Sequence, residues 1–229
     1  VKAFYGRATP DAGTTDRGPD AKPPIVRTAD ECGAPGVPNA DDWAMLCDAP
    51  VGHFLSVWGS GPDDVYMVGG VPAVDGFAGE TGIFRHNGRQ LARIDSGGTE
   101  RAWWVFGYSR DLVYVSGEKG LLLRRVGQGA FEAVPTQTSQ TIFGMWGPSA
   151  DLLYFTSGDF IDPNGQGKLH MLTPEGVSVV DDPVLAQYAG KALFKVWGSG
   201  PDDVFVVGDL GAIFHYDGQA WSKLNTPDQ

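Results

Sequence analysis

Oxygen-bearing side chains alternate in one short stretch of the sequence, GDFIDPNGQG at 158–167. Asp162, Asn164 and Gln166 stand at every second position, and alternate residues of a tight turn can direct their oxygens at one calcium ion. Gln166 is a weak neutral ligand, however, and the bidentate acid expected at the end of a calcium loop falls on Thr173. Calcium is therefore a candidate cofactor, with an ordinary Asn-Gly turn as the competing interpretation. No other metal or cofactor is predicted.

Paired carboxylates are a second possible chemistry, because two acids facing one sugar bond support glycoside hydrolysis. The acids that predicted loops make available are Asp75, Glu80, Asp159 and Asp162. Their spacing sets up no obvious pair, and the sequence contains no Ser/His/Asp order and no phosphate-binding glycine loop. We therefore predict that the chain is not an enzyme and that it has no catalytic residues. A glycoside hydrolase remains the least favoured alternative.

The two cysteines, Cys32 and Cys47, lie in a polar stretch rich in Gly and Pro. Neither a second cysteine pair nor a nearby histidine completes a zinc set. A disulfide is the simpler interpretation, and buried free thiols are the other. A disulfide would indicate an oxidising compartment, so we expect an extracytoplasmic location, which is periplasmic, outer-membrane-associated or secreted.

The residues that could do chemistry belong to a chain built from repeats. VWGSGPDDVYMVGG at 57–70 returns as VWGSGPDDVFVVGD at 196–209, and looser copies begin at Val105 and Met145. The glycine that follows the first aromatic of each copy lies 48, 40 and 51 residues from the one before it. A repeat of this length is typical of propeller and solenoid proteins.

Each copy predicts four short strands, separated in the last copy by SGPD, DLG and DGQ. Runs such as DVFVV are apolar at consecutive positions, so both faces of those strands must be covered. A sheet covered on both faces and repeated in this way is a propeller blade, with a β-sandwich as the alternative fold. Helical spacing is weak everywhere except for one possible turn around 184–188.

We predict an all-β fold, a small β-propeller with four clear four-stranded blades. The predicted repeats cover about 51–96, 97–136, 137–182 and 189–226, within a propeller region at 51–229. Residues 1–50 form a Pro/Gly/Asp-rich arm that contains both cysteines and supplies an outer strand. VKAFYG, PIVRT and DWAML could complete an irregular fifth blade or close the ring; a four-bladed ring with a decorated N-terminus is the alternative.

The pattern WGSGPDDVFVVGDLGAIFHYDGQAW at 197–221 resembles the repeats of secreted β-propellers from myxobacteria, and more distantly those of the photosystem II stability and assembly factor type. The resemblance covers about residues 50–225. It implies a propeller fold and a binding or scaffold role. The chain has fewer repeats than the seven or eight blades of common members, so a small ring and an assembly of several chains are both open.

Several repeated residues are predicted to support the scaffold. The Asp at positions 63, 111, 151 and 202 can accept hydrogen bonds from backbone amides and hold a turn. The aromatic residue at positions 58, 106, 146 and 197 is expected to wedge between blades. Arg85, Arg124 and His215 align in the third strand, where we expect a solvated outer edge.

Function is expected where the repeats differ. Copies one and three insert VPAVDGFAGET and DFIDPNGQG after their second strand, whereas copies two and four have minimal turns. Insertions on one face of a repeat protein commonly form its binding surface. Together with the connections between blades they form the predicted binding face, with the candidate residues Asp75, Glu80, Asp159, Asp162, Asn164 and Tyr188.

Charge narrows the choice of partner. The net charge is −11, from 17 basic and 28 acidic residues, and residues 141–229 alone contribute −7. Such an acidic protein repels nucleic acid and anionic membranes, and no apolar run is long enough to span a bilayer. We predict a non-catalytic, extracytoplasmic module that binds a protein or serves as an accessory subunit of a larger complex. A lectin-like propeller, with Trp103, Trp104 and Tyr188 lining sugar sites, is the alternative.

Overall fold

The computed structural model describes residues 2–5, 44–48, 53–71, 80–89, 91–162 and 165–225. The chain divides into two compact units, Val1–Arg101 and Ala102–Gln229. The described part of the first unit contains a two-stranded and a four-stranded sheet, and that of the second contains three four-stranded sheets. Almost all the regular structure in these described residues is therefore β-strand.

The first unit contains blade 1, in which four strands follow one another in the order β3-β4-β5-β6. The strands of this unit are β1 (Lys2–Tyr5), β2 (Ala44–Asp48), β3 (His53–Gly61), β4 (Asp64–Val71), β5 (Glu80–His86) and β6 (Leu91–Arg93). All neighbouring strands in blade 1 are antiparallel.

The second unit contains blades 2, 3 and 4, which have the same strand order as blade 1. Blade 2 comprises β7 (Ala102–Ser109), β8 (Leu112–Gly117), β9 (Leu122–Val126) and β10 (Glu132–Ala133). Blade 3 comprises β11 (Thr141–Ser149), β12 (Leu152–Gly158), β13 (Lys168–Thr173) and β14 (Gly176–Val179). Blade 4 comprises β15 (Leu193–Gly200), β16 (Asp203–Gly208), β17 (Ile213–Tyr216) and β18 (Trp221–Lys223).

Short helical turns occupy two loops of the second unit. A 3-10 turn, Glu118–Gly120, joins β8 to β9. One turn of α-helix, α1 (Pro183–Ala186), lies between blades 3 and 4, and the Asp182 side chain caps it by accepting from the Val184 amide at 2.8 Å. The sequence predicted a helical turn in this segment.

Each four-stranded sheet lies inside one predicted repeat, and the chain passes from each strand to its antiparallel neighbour. This is the arrangement of a propeller blade. The predicted all-β propeller fold with four clear blades is confirmed.

The N-terminal segment contributes a separate pair of strands. β1 pairs antiparallel with β2, and the pairing places Ala3 opposite Cys47. Two of the three segments predicted to build an irregular blade, VKAFYG and DWAML, therefore contain paired strands. PIVRT lies outside the described residues, so the choice between a fifth blade and a decorated N-terminus stays a prediction.

The first two strands of every blade share the same irregularities of register. In blade 3 the pairing shifts between Ile142 and Gly144 and again between Trp146 and Ser149, and the other three blades shift at the equivalent places. The second shift follows the repeated glycine. A Cβ at Gly147 would overlap the Leu152 carbonyl oxygen, so this backbone approach requires glycine.

Within the second unit the blades pack face to face. A buried cluster between blades 2 and 3 consists of Tyr114, Leu122, Ile142, Met145, Leu153 and Phe155. A second cluster is centred on blade 4, and Trp146 and Tyr154 of blade 3 pack against it. Each fully buried large side chain contributes about 1.5–3 kcal/mol through removal of apolar surface from water. These clusters hold blades 2, 3 and 4 together.

Polar contacts also cross from blade to blade in the second unit. The Trp104 indole Nε1 donates to the Met145 carbonyl oxygen at 3.1 Å, and the Tyr108 hydroxyl donates to the Leu152 carbonyl oxygen at 2.8 Å. No helix in the described part of the chain is long and apolar enough to cross a membrane.

Candidate functional site

Three loops meet at one end of blades 3 and 4. They are the described residues of the insertion between β12 and β13 (158–162 and 165–167), the connection between the two blades (180–192) and the short turn between β16 and β17 (209–211). The Asp159 amide donates to the Lys191 carbonyl oxygen at 3.0 Å, and the Asp209 amide donates to the Ala192 carbonyl oxygen at 3.0 Å. These backbone hydrogen bonds join the three loops into one surface, which we call the loop surface.

The insertion is tied down near its tip. The Asp159 carboxylate oxygen Oδ1 accepts hydrogen bonds from the amides of Ile161 and Asp162, at 2.8 and 3.1 Å. The Gly165 amide and the Lys191 ammonium Nζ both donate to the Asp162 carbonyl oxygen, at 2.9 and 3.1 Å. The polar residues of this loop therefore fix the backbone that presents Phe160 and Ile161.

Three large apolar side chains project from the loop surface. Phe160 is 56% exposed, Ile161 is 93% exposed and Leu210 is 70% exposed. Lys191 links their loops, because its carbonyl oxygen accepts from Asp159 and its amide donates to the Asp209 carboxylate at 2.9 Å. We call the three side chains the apolar ridge. Exposed apolar side chains on loops that are joined in this way can form an interaction site.

Phe160 rests on an aromatic cluster that extends to the first strands of the blades. Its ring stacks on Phe194, with centroids 5.8 Å apart, and meets Phe143 at 6.3 Å. The Phe143 ring in turn makes edge-to-face contacts with the rings of Phe194 and Trp103, with centroids 5.5 and 5.1 Å apart. Trp103, Phe143 and Phe194 each stand three residues before the repeated aromatic position, so the repeat itself positions the support for Phe160.

Lys195 lies beside this cluster and is held by internal contacts. Its ammonium Nζ lies 3.6 Å from the centre of the Trp104 ring and donates to the Phe143 carbonyl oxygen at 2.7 Å. Burial disfavours the charged form and lowers the pKa of Lys195 to about 8. The side chain therefore joins β7, β11 and β15 across the three blades.

Tyr188 was predicted for the binding face, and the structure places its ring in the core cluster of blade 4. Only 7% of the residue is exposed. Its hydroxyl donates to the Ala192 carbonyl oxygen at 2.7 Å and contacts the Asp209 carboxylate. Burial is the main cause that raises the pKa of Tyr188, and the Asp209 carboxylate adds to it. Tyr188 thus supports the loop surface from beneath.

The other predicted site residues lie in different parts of the chain. Asp159 and Asp162 are on the loop surface, and Glu80 begins β5 of the first unit, where it pairs with Arg93. Asp75 and Asn164 lie outside the described residues. The structure therefore brings Asp159, Asp162 and the buried Tyr188 into one region of the second unit.

The predicted calcium ligands are only partly described. Asn164 lies outside the described residues, and Gln166 uses its side-chain Nε2 to donate to the Tyr188 carbonyl oxygen. Its own carbonyl oxygen accepts from Gln140 Nε2 at 3.0 Å. Among the residues that the structure describes, no group of three or more His, Cys, Asp and Glu side chains is arranged to hold a metal ion. The calcium loop stays a prediction.

The predicted disulfide also stays a prediction. Cys32 lies outside the described residues, and of Cys47 the structure describes only the backbone, in β2.

Sequence reasoning missed a cluster of polar side chains that occurs once in blade 1 and again in blade 4. In blade 1 the Ser60 hydroxyl donates to Asp64 Oδ2 at 2.6 Å, and Arg85 Nε donates to Asp64 Oδ1 at 2.8 Å. Asp64 is fully buried and Arg85 is 17% exposed, so in blade 1 this end of the third strand is not the solvated edge that the sequence predicted. Arg124, at the matching position of blade 2, is exposed as predicted. The signal was the second Asp of each PDD motif, which is Leu112 or Leu152 in the other blades.

Blade 4 repeats this group with histidine as the basic member. The Ser199 hydroxyl donates to Asp203 Oδ2 at 2.5 Å, and His215 Nε2 lies 2.8 Å from Asp203 Oδ1. The hydrogen bonds from Ser199 and His215 lower the pKa of the Asp203 carboxyl. In a hydrolytic triad the imidazole stands between serine and aspartate. Here the carboxylate stands in the middle, so the serine hydroxyl has no imidazole to take its proton.

Comparison with solved structures shows a distant similarity. No family model matches the chain, and no curated protein matches it. A solved structure described as YCF48 bound to D1 peptide is similar, at 12% sequence identity and a TM-score of 0.38, over 80% of this chain and 71% of that one. The similarity is distant, and the four sheets of the chain define its fold by themselves.

Proposed function

We propose that this chain is a non-catalytic β-propeller that binds another protein through the loop surface, as a scaffold or as an accessory subunit of a larger complex. The observation that supports this most directly is the apolar ridge, with Ile161 at 93% exposure beside Phe160 at 56%. The exposed surface of these side chains contributes no hydrophobic stabilisation to the chain in water, whereas a partner that covered it would gain its transfer free energy.

The free energy available from burying the apolar ridge is sufficient for a specific contact. Complete burial of a Phe or Ile side chain is worth about 1.5–3 kcal/mol, and each 1.4 kcal/mol changes a dissociation constant about tenfold. Part of that gain is normally lost when a loop is ordered on binding. The hydrogen bonds that Asp159 and Lys191 make to the insertion reduce this cost, because the loop is held before the partner arrives.

Two positive observations weigh against catalysis and against a lectin. The Ser–Asp–His group of blade 4 has its carboxylate in the centre, which leaves the serine without a base. Of the aromatics considered for sugar binding, Tyr188 is buried in the core, and Lys195 covers the face of Trp104. A protein partner is therefore the proposal that the geometry supports best.

We further propose that the chain is extracytoplasmic and belongs with the secreted repeat propellers that its motif resembles. The repeated WGSGPDDV motif and the two cysteines support this proposal. Fractionation of source cells would locate the chain, and intact mass would report the disulfide. A Cys32–Cys47 bridge makes the untreated protein two hydrogen atoms lighter than the reduced one; equal masses, or recovery in the cytoplasm, would contradict this part.

Site-specific photo-crosslinking tests the proposed binding surface. A photoreactive amino acid replaces Ile161 in one variant and Val126 in its control, and both are expressed in the organism that makes the protein. Val126 is 60% exposed and lies opposite Leu112, at the end of blade 2 away from the loop between β8 and β9. We expect a discrete protein adduct from position 161 only. Adducts of equal yield from both positions, or from position 126 alone, would reject the loop surface as the binding site.

A further inference from the structure

We propose that the partner segment that lies on the apolar ridge is basic, with lysine or arginine on either side of an apolar residue. This inference rests on the proposed function, since it specifies the chemistry of the protein that the loop surface binds.

The first support is the charge of the loops that surround the ridge. The segments 158–167, 180–192 and 209–211 contain one basic residue, Lys191. Their acidic residues are Asp159, Asp162, Asp181, Asp182 and Asp209. The net charge of the three segments is therefore −4. A surface of this charge attracts a positive segment at long range and disfavours an acidic one.

The one basic side chain in these three segments, Lys191, makes a contact within the loop surface itself. The Lys191 ammonium donates to the Asp162 carbonyl oxygen at 3.1 Å. The side chains of Asp162 and Asp181 are exposed at the surface, and their carboxylates keep the local charge negative. A partner that approaches the ridge therefore meets carboxylates at its border.

The second support is the exposed ring of Phe160. The face of an aromatic ring attracts the cationic side chain of lysine or arginine. Stacking on Phe194 and contact with Phe143 fix the orientation of this ring. Ile161 and Leu210 offer only apolar contact, so a small polyamine would leave them in water. A peptide segment with both basic and apolar side chains matches the whole ridge.

Selection from a random peptide library tests this inference even while the natural partner is unidentified. The probes are displayed peptides of about twelve residues, long enough for an extended segment to cross the three loops. They are selected against the full chain and against three variants, Phe160→Ala, Ile161→Ser and the control Val126→Ser. Ile161 is almost fully exposed, so its replacement leaves the fold intact even if Phe160→Ala perturbs the insertion.

We expect peptides enriched on the wild-type chain to be net positive and to contain an aliphatic or aromatic residue. A resynthesised peptide should bind about tenfold more weakly to Phe160→Ala and Ile161→Ser, and equally well to Val126→Ser. Its affinity should also fall between about 50 mM and about 500 mM salt, because salt screens exposed charges.

The experiment distinguishes failure of the basic-partner proposal from failure of the proposed binding surface. Enriched peptides that depend on Phe160 and Ile161 but are neutral or acidic would overturn the basic partner and leave the loop surface as the binding site. A set of peptides that bind Phe160→Ala and Ile161→Ser as well as the wild-type chain would overturn both the basic partner and the proposed surface.

Discussion

Replacing the repeated tryptophan in two different blades should have very different consequences for stability. Trp146 and Trp197 occupy the same position of the motif, one in β11 and one in β15. Trp146 is partly buried and packs against the core cluster of blade 4, where its ring atom Cζ3 lies 2.8 Å from the place that a Cβ on Gly198 would take. Trp197 is 59% exposed. We therefore compare Trp146→Ala with Trp197→Ala.

The difference in burial sets the expected magnitudes. Truncation of a buried tryptophan costs about 3–5 kcal/mol, and the partial exposure of Trp146 favours the lower value, about 3 kcal/mol. The removal of Trp197 should cost about 1 kcal/mol or less, since most of its surface is already in contact with water. For a chain of this length, about 3 kcal/mol corresponds to a fall of roughly 6–12 °C in the melting temperature.

Urea unfolding followed by far-ultraviolet circular dichroism measures both variants without depending on tryptophan fluorescence. Trp197→Ala is the matched control, because both substitutions remove the same side chain from the same motif. Equal destabilisation of the two variants would refute the packing described for blades 3 and 4.

Three further results follow from buried or paired groups. Burial lowers the pKa of His170 from 6.5 to about 4, so between these pH values only the unfolded chain binds the extra proton. The free energy of unfolding should therefore fall by about 3 kcal/mol as pH drops from 6.5 to 4. His170→Gln should remove that pH dependence in acid-unfolding curves, and an unchanged pH dependence would contradict this role of His170. Asp64→Asn should cost about 3–5 kcal/mol in urea unfolding, because it removes the buried carboxylate that pairs with the mostly buried Arg85. Asp203→Asn, at a more exposed pair, should cost much less, and equal costs would contradict this difference. Lys195→Met should abolish the gain in stability that the lowered pKa of Lys195 predicts between pH 8 and 10.5, and an identical alkaline stability curve for the two proteins would argue against the buried ammonium.

The repeat made the architecture predictable. Short apolar segments between Gly, Pro and Asp residues are local signals, and the four strands predicted for the last copy correspond to β15, β16, β17 and β18. The Ser–Asp–basic group was harder to predict, since it depends on the strand register that brings Asp64 next to Arg85. These residues are 21 positions apart, and nothing local couples them.

The sequence could not predict which side chains near the site are buried and which are exposed. Tyr188 stands in a connection between blades, which suggested exposure, but its hydroxyl is satisfied by Ala192 and Asp209 inside the second unit. Phe160 and Ile161 gave the opposite difficulty, because two adjacent apolar residues in a loop are compatible with a buried anchor. Their exposure follows from the way Asp159 and Lys191 hold the insertion, which is a property of tertiary structure.

Hydrogen exchange of the chain in complex with its crosslinked partner protein tests the central claim most directly. We predict that the partner slows exchange in the loop surface, at 158–167 and 209–211, and leaves exchange unchanged in the turns at the other end of the same blades, 149–152 and 200–203. Protection confined to those opposite turns, with the loop surface unaffected, would contradict the account.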